Sequence, residues 1–129
     1  YIWQALKLFD VKRIDHGVRC VEDDRLVEYL KEHQIPLTVC PLSNIKLCVF
    51  KNMTDHNLKY LLNKGLCVTI NSDDPAYFGG YMVDNFLAAQ RALDLSAKDI
   101  IQLASNSIIA SFAPPEKKKH YLEAIKAFS

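Results

Sequence analysis

Three short apolar runs, at residues 11–14, 35–40 and 66–71, set the terms on which this chain can fold. Each is bounded by polar or turn-forming residues. The last two are rich in Val, Ile, Thr and Leu, which is the composition of buried strands. Helical spacing fills the intervals. Over 24–33, Leu26, Val27 and Leu30 mark one face, Asp23 or Asp24 is positioned to cap it, and an acidic first turn suits the helix dipole. Over 54–64, Leu58, Leu61 and Leu62 share a face and Gly65 supplies a stop. Strand, helix, strand, helix, strand in succession predicts parallel strands joined by right-handed crossovers, an α/β architecture.

Beyond the third run the spacing is helical only. Helices are predicted at 83–93, at 97–112 with Ser96 as N-cap and Asp99 in the capping-box position, and at 116–128 after the Pro114-Pro115 break. Residues 1–9 have helical spacing leading into the first strand, as if an earlier unit preceded them. Three parallel strands leave two open edges, so self-association through exposed strand edges is expected.

Composition narrows the function classes. The 129 residues are 50% hydrophobic and 24% charged with a net charge of +1, a balance that fits one globular domain. It gives no electrostatic reason to expect nucleic acid or an anionic membrane as partner. The basic run Lys117-Lys118-Lys119 reads as the solvated face of a helix. No stretch approaches the ~20 apolar residues of a membrane span, and no basic segment followed by an apolar core opens the sequence, so nothing in it indicates secretion. Cys20, Cys40, Cys48 and Cys67 show no C-x-x-C spacing, which points to reduced thiols in a cytoplasmic protein.

Ligands of parallel α/β folds bind beyond the C-terminal ends of the strands. Here those ends read His16-Gly17, Pro41-Leu42-Ser43-Asn44 and Ser72-Asp73-Asp74-Pro75. A histidine, a Ser-Asn pair and two adjacent carboxylates would thus converge on one face. Neighbouring carboxylates call for a cation or hydrogen-bond donors close by, and imidazole and carboxylate are ordinary zinc ligands. Two other roles stay open: Asp73 or Asp74 as the cap of the following turn, and His16 as a structural hydrogen-bonder.

Arg13-Ile14-Asp15-His16-Gly17, Cys40-Pro41-Leu42-Ser43-Asn44 and Asn71-Ser72-Asp73-Asp74-Pro75 resemble three successive motifs of the adenosine/adenine deaminase family. The resemblance runs from about residue 11 to 111. It implies strands six to eight of a (β/α)8 TIM barrel with their crossover helices, followed by C-terminal helices, so that residues 1–129 form the C-terminal part of such an enzyme. By that resemblance Asp73 is the carboxylate ligand of a catalytic zinc. Asp74 hydrogen-bonds the purine on its N7 side, and His16 orients and polarises the attacking water. Asp15 and the segment Pro75-Ala76-Tyr77-Phe78-Gly79-Gly80 are similar to the adenine-specific branch, which implies a purine substrate, adenine, converted to hypoxanthine and ammonia in purine salvage.

The family's H-x-H pair, its further histidine ligand and its proton-shuttling glutamate have no counterparts here. Of the histidines, His33 and His56 are expected to be exposed on or beside crossover helices. His120, with Glu123, copies an H-x-x-E spacing on a late helix rather than at a strand end. The H-x-E with P-C-x-x-C signature of cytidine-type deaminases is missing as well. A catalytic zinc normally takes three protein ligands, so the expectation is a chain inactive on its own. The competing expectations are an adenosine deaminase and, in another class, a non-catalytic half-barrel serving as an interaction module.

Overall fold

A computed structural model of the chain describes residues 1–128. Its centre is a three-stranded parallel sheet in the order β1 (Ile14–Asp15), β2 (Leu37–Val39), β3 (Val68–Ile70). Helix α1 (Ile2–Phe9) precedes the sheet, and a 3-10 turn, Val18–Glu22, leads from β1 into α2 (Asp24–Glu32). Past β2 come α3 (Pro41–Lys46), a second 3-10 turn at Met53–Asp55 and α4 (Leu58–Asn63). After β3 the chain is helical: α5 (Pro75–Phe78), α6 (Met82–Leu93), α7 (Ala97–Ala110) and α8 (Pro115–Ala127).

The register sorts the sheet's two faces. Ile14 pairs with Leu37 and Leu37 with Val68, a wholly apolar row. One step along, Asp15 pairs with Thr38 and Thr38 with Thr69, and because strand side chains alternate, this polar row lies on the opposite face. Leu37 and Val68 are buried with Leu26, Val27 and Leu30 of α2, Leu58 and Leu61 of α4 and Leu103 of α7 in one core. All of β3 is buried, as expected for a parallel strand covered on both faces. Asn106 of α7 donates to the Val68 carbonyl at 2.8 Å, which satisfies an outer-edge acceptor of the sheet.

The helix ends follow local chemistry. Asp23 accepts from the Arg25 amide at 3.0 Å and from Trp3 Nε1 at 2.9 Å, capping α2 and tying α1 to it. The Trp3 bond is the main cause that holds the Asp23 carboxyl below its ordinary range. Ser96 and Asp99 form the expected capping box at the start of α7.

Two expectations need correction, and one element was not foreseen. The first strand covers Ile14–Asp15 rather than 11–14, because its ladder bonds run from Ile14 N to Pro36 O and from His16 N to Thr38 O. The strand-end segment after β2 forms a short helix, α3, for which no expectation was set; Pro41 begins it, where a missing N–H costs nothing. The second crossover helix starts at Leu58, with residues 53–55 in the 3-10 turn that precedes it. This shift carries His56 out of any helix and into the interior.

Candidate active site

Non-glycine residues rarely adopt positive φ, at a cost of about 1 kcal/mol or more each. Among the described residues six do so: Asp10, His16, Gln34, Cys48, Asp73 and Asp94. Asp10, Gln34, Cys48 and Asp94 lie at or just past helix C-termini, where left-handed backbone is common. His16 (φ 56°) and Asp73 (φ 57°) instead follow β1 and β3. These two side chains meet, with His16 Nε2 lying 3.5 Å from Asp73 Oδ2.

Gly17 makes the first of these turns. Its φ is +72°, and a Cβ there would stand 2.6 Å from Leu37 Cδ2, so the chain leaving β1 crosses directly over β2. The middle strand contributes through α3. Asn85 of α6, fully buried, accepts from the Leu42 amide at 3.0 Å and donates to the Gly80 and Tyr81 carbonyls at 3.3 and 3.0 Å. It thereby fixes the start of α3, which turns Ser43 and Asn44 inward.

Ser43 Oγ donates to Asp73 Oδ2 at 2.7 Å. Asn44 Nδ2 lies 3.2 Å from His16 Nδ1, and Asn44 Oδ1 lies 3.1 Å from His56 Nε2. On the sheet floor Thr38 donates to Asp15 at 2.9 Å and Asn71 donates to Thr69 Oγ1 at 2.7 Å. The cleft above this floor has a volume of about 400 Å3, and Asp15, His16, Cys40, Asn71 and Asp73 are among the residues that line it. A larger groove of about 490 Å3 runs beside α1. Its polar groups are already engaged: Asp23 caps α2, and Arg19 pairs with Glu22 at 2.6 Å.

One nitrogen of His16, the Cys40 sulfur and one oxygen of Asp73 lie within 4.8 Å of one another, a spacing from which three side chains could hold a metal ion. Burial, with the negative charges of Asp73 and Asp15, pushes the Cys40 thiol up to about 12, so sulfur stays protonated at neutral pH unless a cation displaces the proton. Nitrogen, oxygen and sulfur donors of this kind suit zinc.

The structure therefore brings His16 and Asp73 together, as strand-end order predicts. Asp74 is placed differently: its Oδ1 accepts from the Tyr77 amide at 3.0 Å, capping α5. The expectation that His56 is exposed fails. It is 4% exposed, lies 4.4 Å centroid to centroid from Phe50, and burial lowers its pKa to about 4. His33 is exposed as expected and stacks on Tyr29. All four cysteines are free: Cys20, Cys40 and Cys67 are buried and Cys48 is exposed. No described helix is long and apolar enough to cross a membrane.

Comparison with known proteins adds the following. The family model described as adenosine deaminase matches residues 1–128. An adenine deaminase from Hahella chejuensis is 61% identical over 128 residues, a match that takes in 99% of this chain and 38% of that protein. The crystal structure of an adenine deaminase from Arthrobacter aurescens superposes with a TM-score of 0.97 at 47% identity, covering 99% of this chain and 39% of that one. An amidohydrolase from Burkholderia ambifaria with bound Zn shares the fold, with a TM-score of 0.88 at 22% identity over 98% of this chain and 35% of that one. The chain thus spans less than two-fifths of the length of these relatives.

Proposed function

The chain belongs to the adenosine deaminase family, and from that membership we propose that it is the C-terminal part of a zinc-dependent adenine deaminase. In this reading its sheet supplies strands six to eight of a (β/α)8 barrel, and the reaction is hydrolysis of adenine to hypoxanthine and ammonia. The observation that carries it is the convergence of His16, Cys40 and Asp73 on one cleft beyond three consecutive strands, with buried Ser43 bonded to Asp73 from behind. The adenine deaminases among the relatives, and the zinc in the Burkholderia fold neighbour, support the substrate and the metal.

Asp73 would hold the metal through a carboxylate oxygen, with Ser43 Oγ fixing its rotamer by the 2.7 Å bond. Zinc, when bound, supplies the Lewis acidity that makes water a nucleophile near neutral pH. His16, at the mouth of β1, orients that water. Asp74 keeps Oδ1 on the Tyr77 amide and offers its other oxygen to the N7 side of the purine. Four free thiols fit a reducing compartment, and we place the enzyme in the cytoplasm.

The sequence holds four histidines and no H-x-H pair, so we infer that the chain alone does not turn over adenine. The test is ammonia release from adenine with added zinc, first by this chain alone and then after mixing with the N-terminal portion of an adenine deaminase relative. Silence followed by restored turnover, with adenine preferred over adenosine, is the expected result. Turnover by the chain alone would overturn its dependence on outside ligands. Persistent silence in a mixture that binds zinc would overturn the deaminase reading.

A further inference from the structure

We propose that His56 and Asn44 are positioning residues that fix the tautomer of His16, so that His16 presents an N–H donor, not a lone pair, to the cleft. Neither residue touches the cleft's reacting face. Both are buried, His56 at 4% and Asn44 at 2% exposure, and they form a single file from the α4 N-terminus to the His16 ring.

The direction of that file is forced from its buried end. The Leu58 backbone N–H points at His56 Nδ1, 3.1 Å away, and a backbone amide can only donate. His56 Nδ1 is therefore unprotonated. A neutral imidazole must carry its hydrogen on the other nitrogen, so His56 Nε2 is the donor in its 3.1 Å contact with Asn44. The Asn44 atom that receives it must be the carbonyl oxygen, which rules out the flipped amide. That leaves Asn44 Nδ2 facing His16 Nδ1 at 3.2 Å, and an amide nitrogen can only donate. His16 Nδ1 is the acceptor, and the proton of the neutral His16 ring resides on Nε2.

The far end of the file agrees. His16 Nε2 faces Asp73 Oδ2, an acceptor, at 3.5 Å. Four consecutive contacts thus share one donor-to-acceptor sense, set by a backbone amide that no side-chain rotation can reverse. Burial of His56 beside Phe50 supports the same state by disfavouring a charged ring, which would place a second hydrogen against the Leu58 amide. In the deaminase reading, on which this consequence rests, His16 stabilises charge on an oxygen in the cleft as a hydrogen-bond donor. It does not accept the water's proton at Nε2.

The tautomer is readable without turnover, so failure here and failure of the deaminase reading are distinct events. The experiment is long-range 1H–15N correlation spectroscopy of the histidine rings of this chain at neutral pH. A search for 15N–15N coupling across the Asn44 Nδ2–H···Nδ1 His16 bond accompanies it. The expected spectrum shows pyridine-like Nδ1 and pyrrole-like Nε2 resonances for both His16 and His56. In Asn44→Asp the residue at 44 can only accept, and the His16 Nδ1 resonance is expected to move to the pyrrole-like range. A pyrrole-like Nδ1 on His16 in the unmodified chain overturns the proposal, whether or not the variant folds. So does an unchanged His16 spectrum in a folded Asn44→Asp chain.

Discussion

His56 gives the chain a pH-dependent stability whose sign can be worked out. Burial lowers its pKa from about 6.5 to about 4, so between those values the unfolded chain binds a proton that the folded chain refuses. Its contribution is present in full above pH 6.5 and is lost as pH falls towards 4, a decline of about 3 kcal/mol across the window. Urea titrations at pH 7 and pH 4.5 should show this loss, and His56→Gln should flatten it. Asp15 carries a prediction about substrate. Its carboxylate lies in the cleft, held by Thr38 Oγ1 at 2.9 Å, where it takes up space beside His16. In a complete enzyme Asp15→Gly is expected to raise turnover of adenosine relative to adenine, and an unchanged ratio in a competition assay would discard that role. His16, Asp73 and Asp74 could be picked out from the sequence because they stand at strand ends, where chemistry collects. His56 could not. It belongs to no helix or strand, and its burial depends on Phe50 and on Asn44 of α3, contacts that no periodicity encodes.

Among the elements, the turn after β1 is the most constrained. Gly17→Ala adds a left-handed alanine and a methyl group 2.6 Å from Leu37 Cδ2, for a combined loss of about 2–5 kcal/mol. Gly79→Ala is the control: its φ of +79° imposes the same backbone cost, but no atom lies within 4 Å of the new Cβ. Equal shifts in the two denaturation midpoints would show that contact with Leu37 contributes nothing. The helices predicted from amphipathic spacing and caps, α2, α6, α7 and α8, are present with ends shifted by a few residues. Short α3 and α5 escaped notice because neither buries an apolar stripe: α3 buries Pro41, Ser43 and Asn44, and the four residues of α5 bury none. Their signal was Pro41 and Pro75 in the first helical turn, with Asp74 as cap for the latter.

For the whole molecule, the parallel strands followed from the alternation of runs and the order β1-β2-β3 from the resemblance to consecutive barrel strands, while the polar row Asp15–Thr38–Thr69 depended on a register that the runs do not specify. In the barrel we propose, β1 and β3 are the strands whose outer edges await neighbours. Asn106 already serves one β3 carbonyl. The mixing experiment should therefore register by sedimentation as well as by ammonia: the chain alone is expected to self-associate and the mixture to settle as a defined complex. A chain that remains monomeric alone would remove strand edges as the cause of association.

The distribution of thiols has a practical consequence for following such a mixture. Cys20 and Cys40 are buried and burial pushes them up to about 11 and about 12, Cys67 is buried and raised as well, and Cys48 alone is exposed, just beyond α3. A maleimide fluorophore offered at neutral pH to the folded chain will attach at one position without mutagenesis, because alkylation needs a reachable thiolate. Only Ile45, Lys46 and Leu47 lie between that position and Asn44. The native chain thus comes with its own attachment point for an optical reporter of how its candidate site closes.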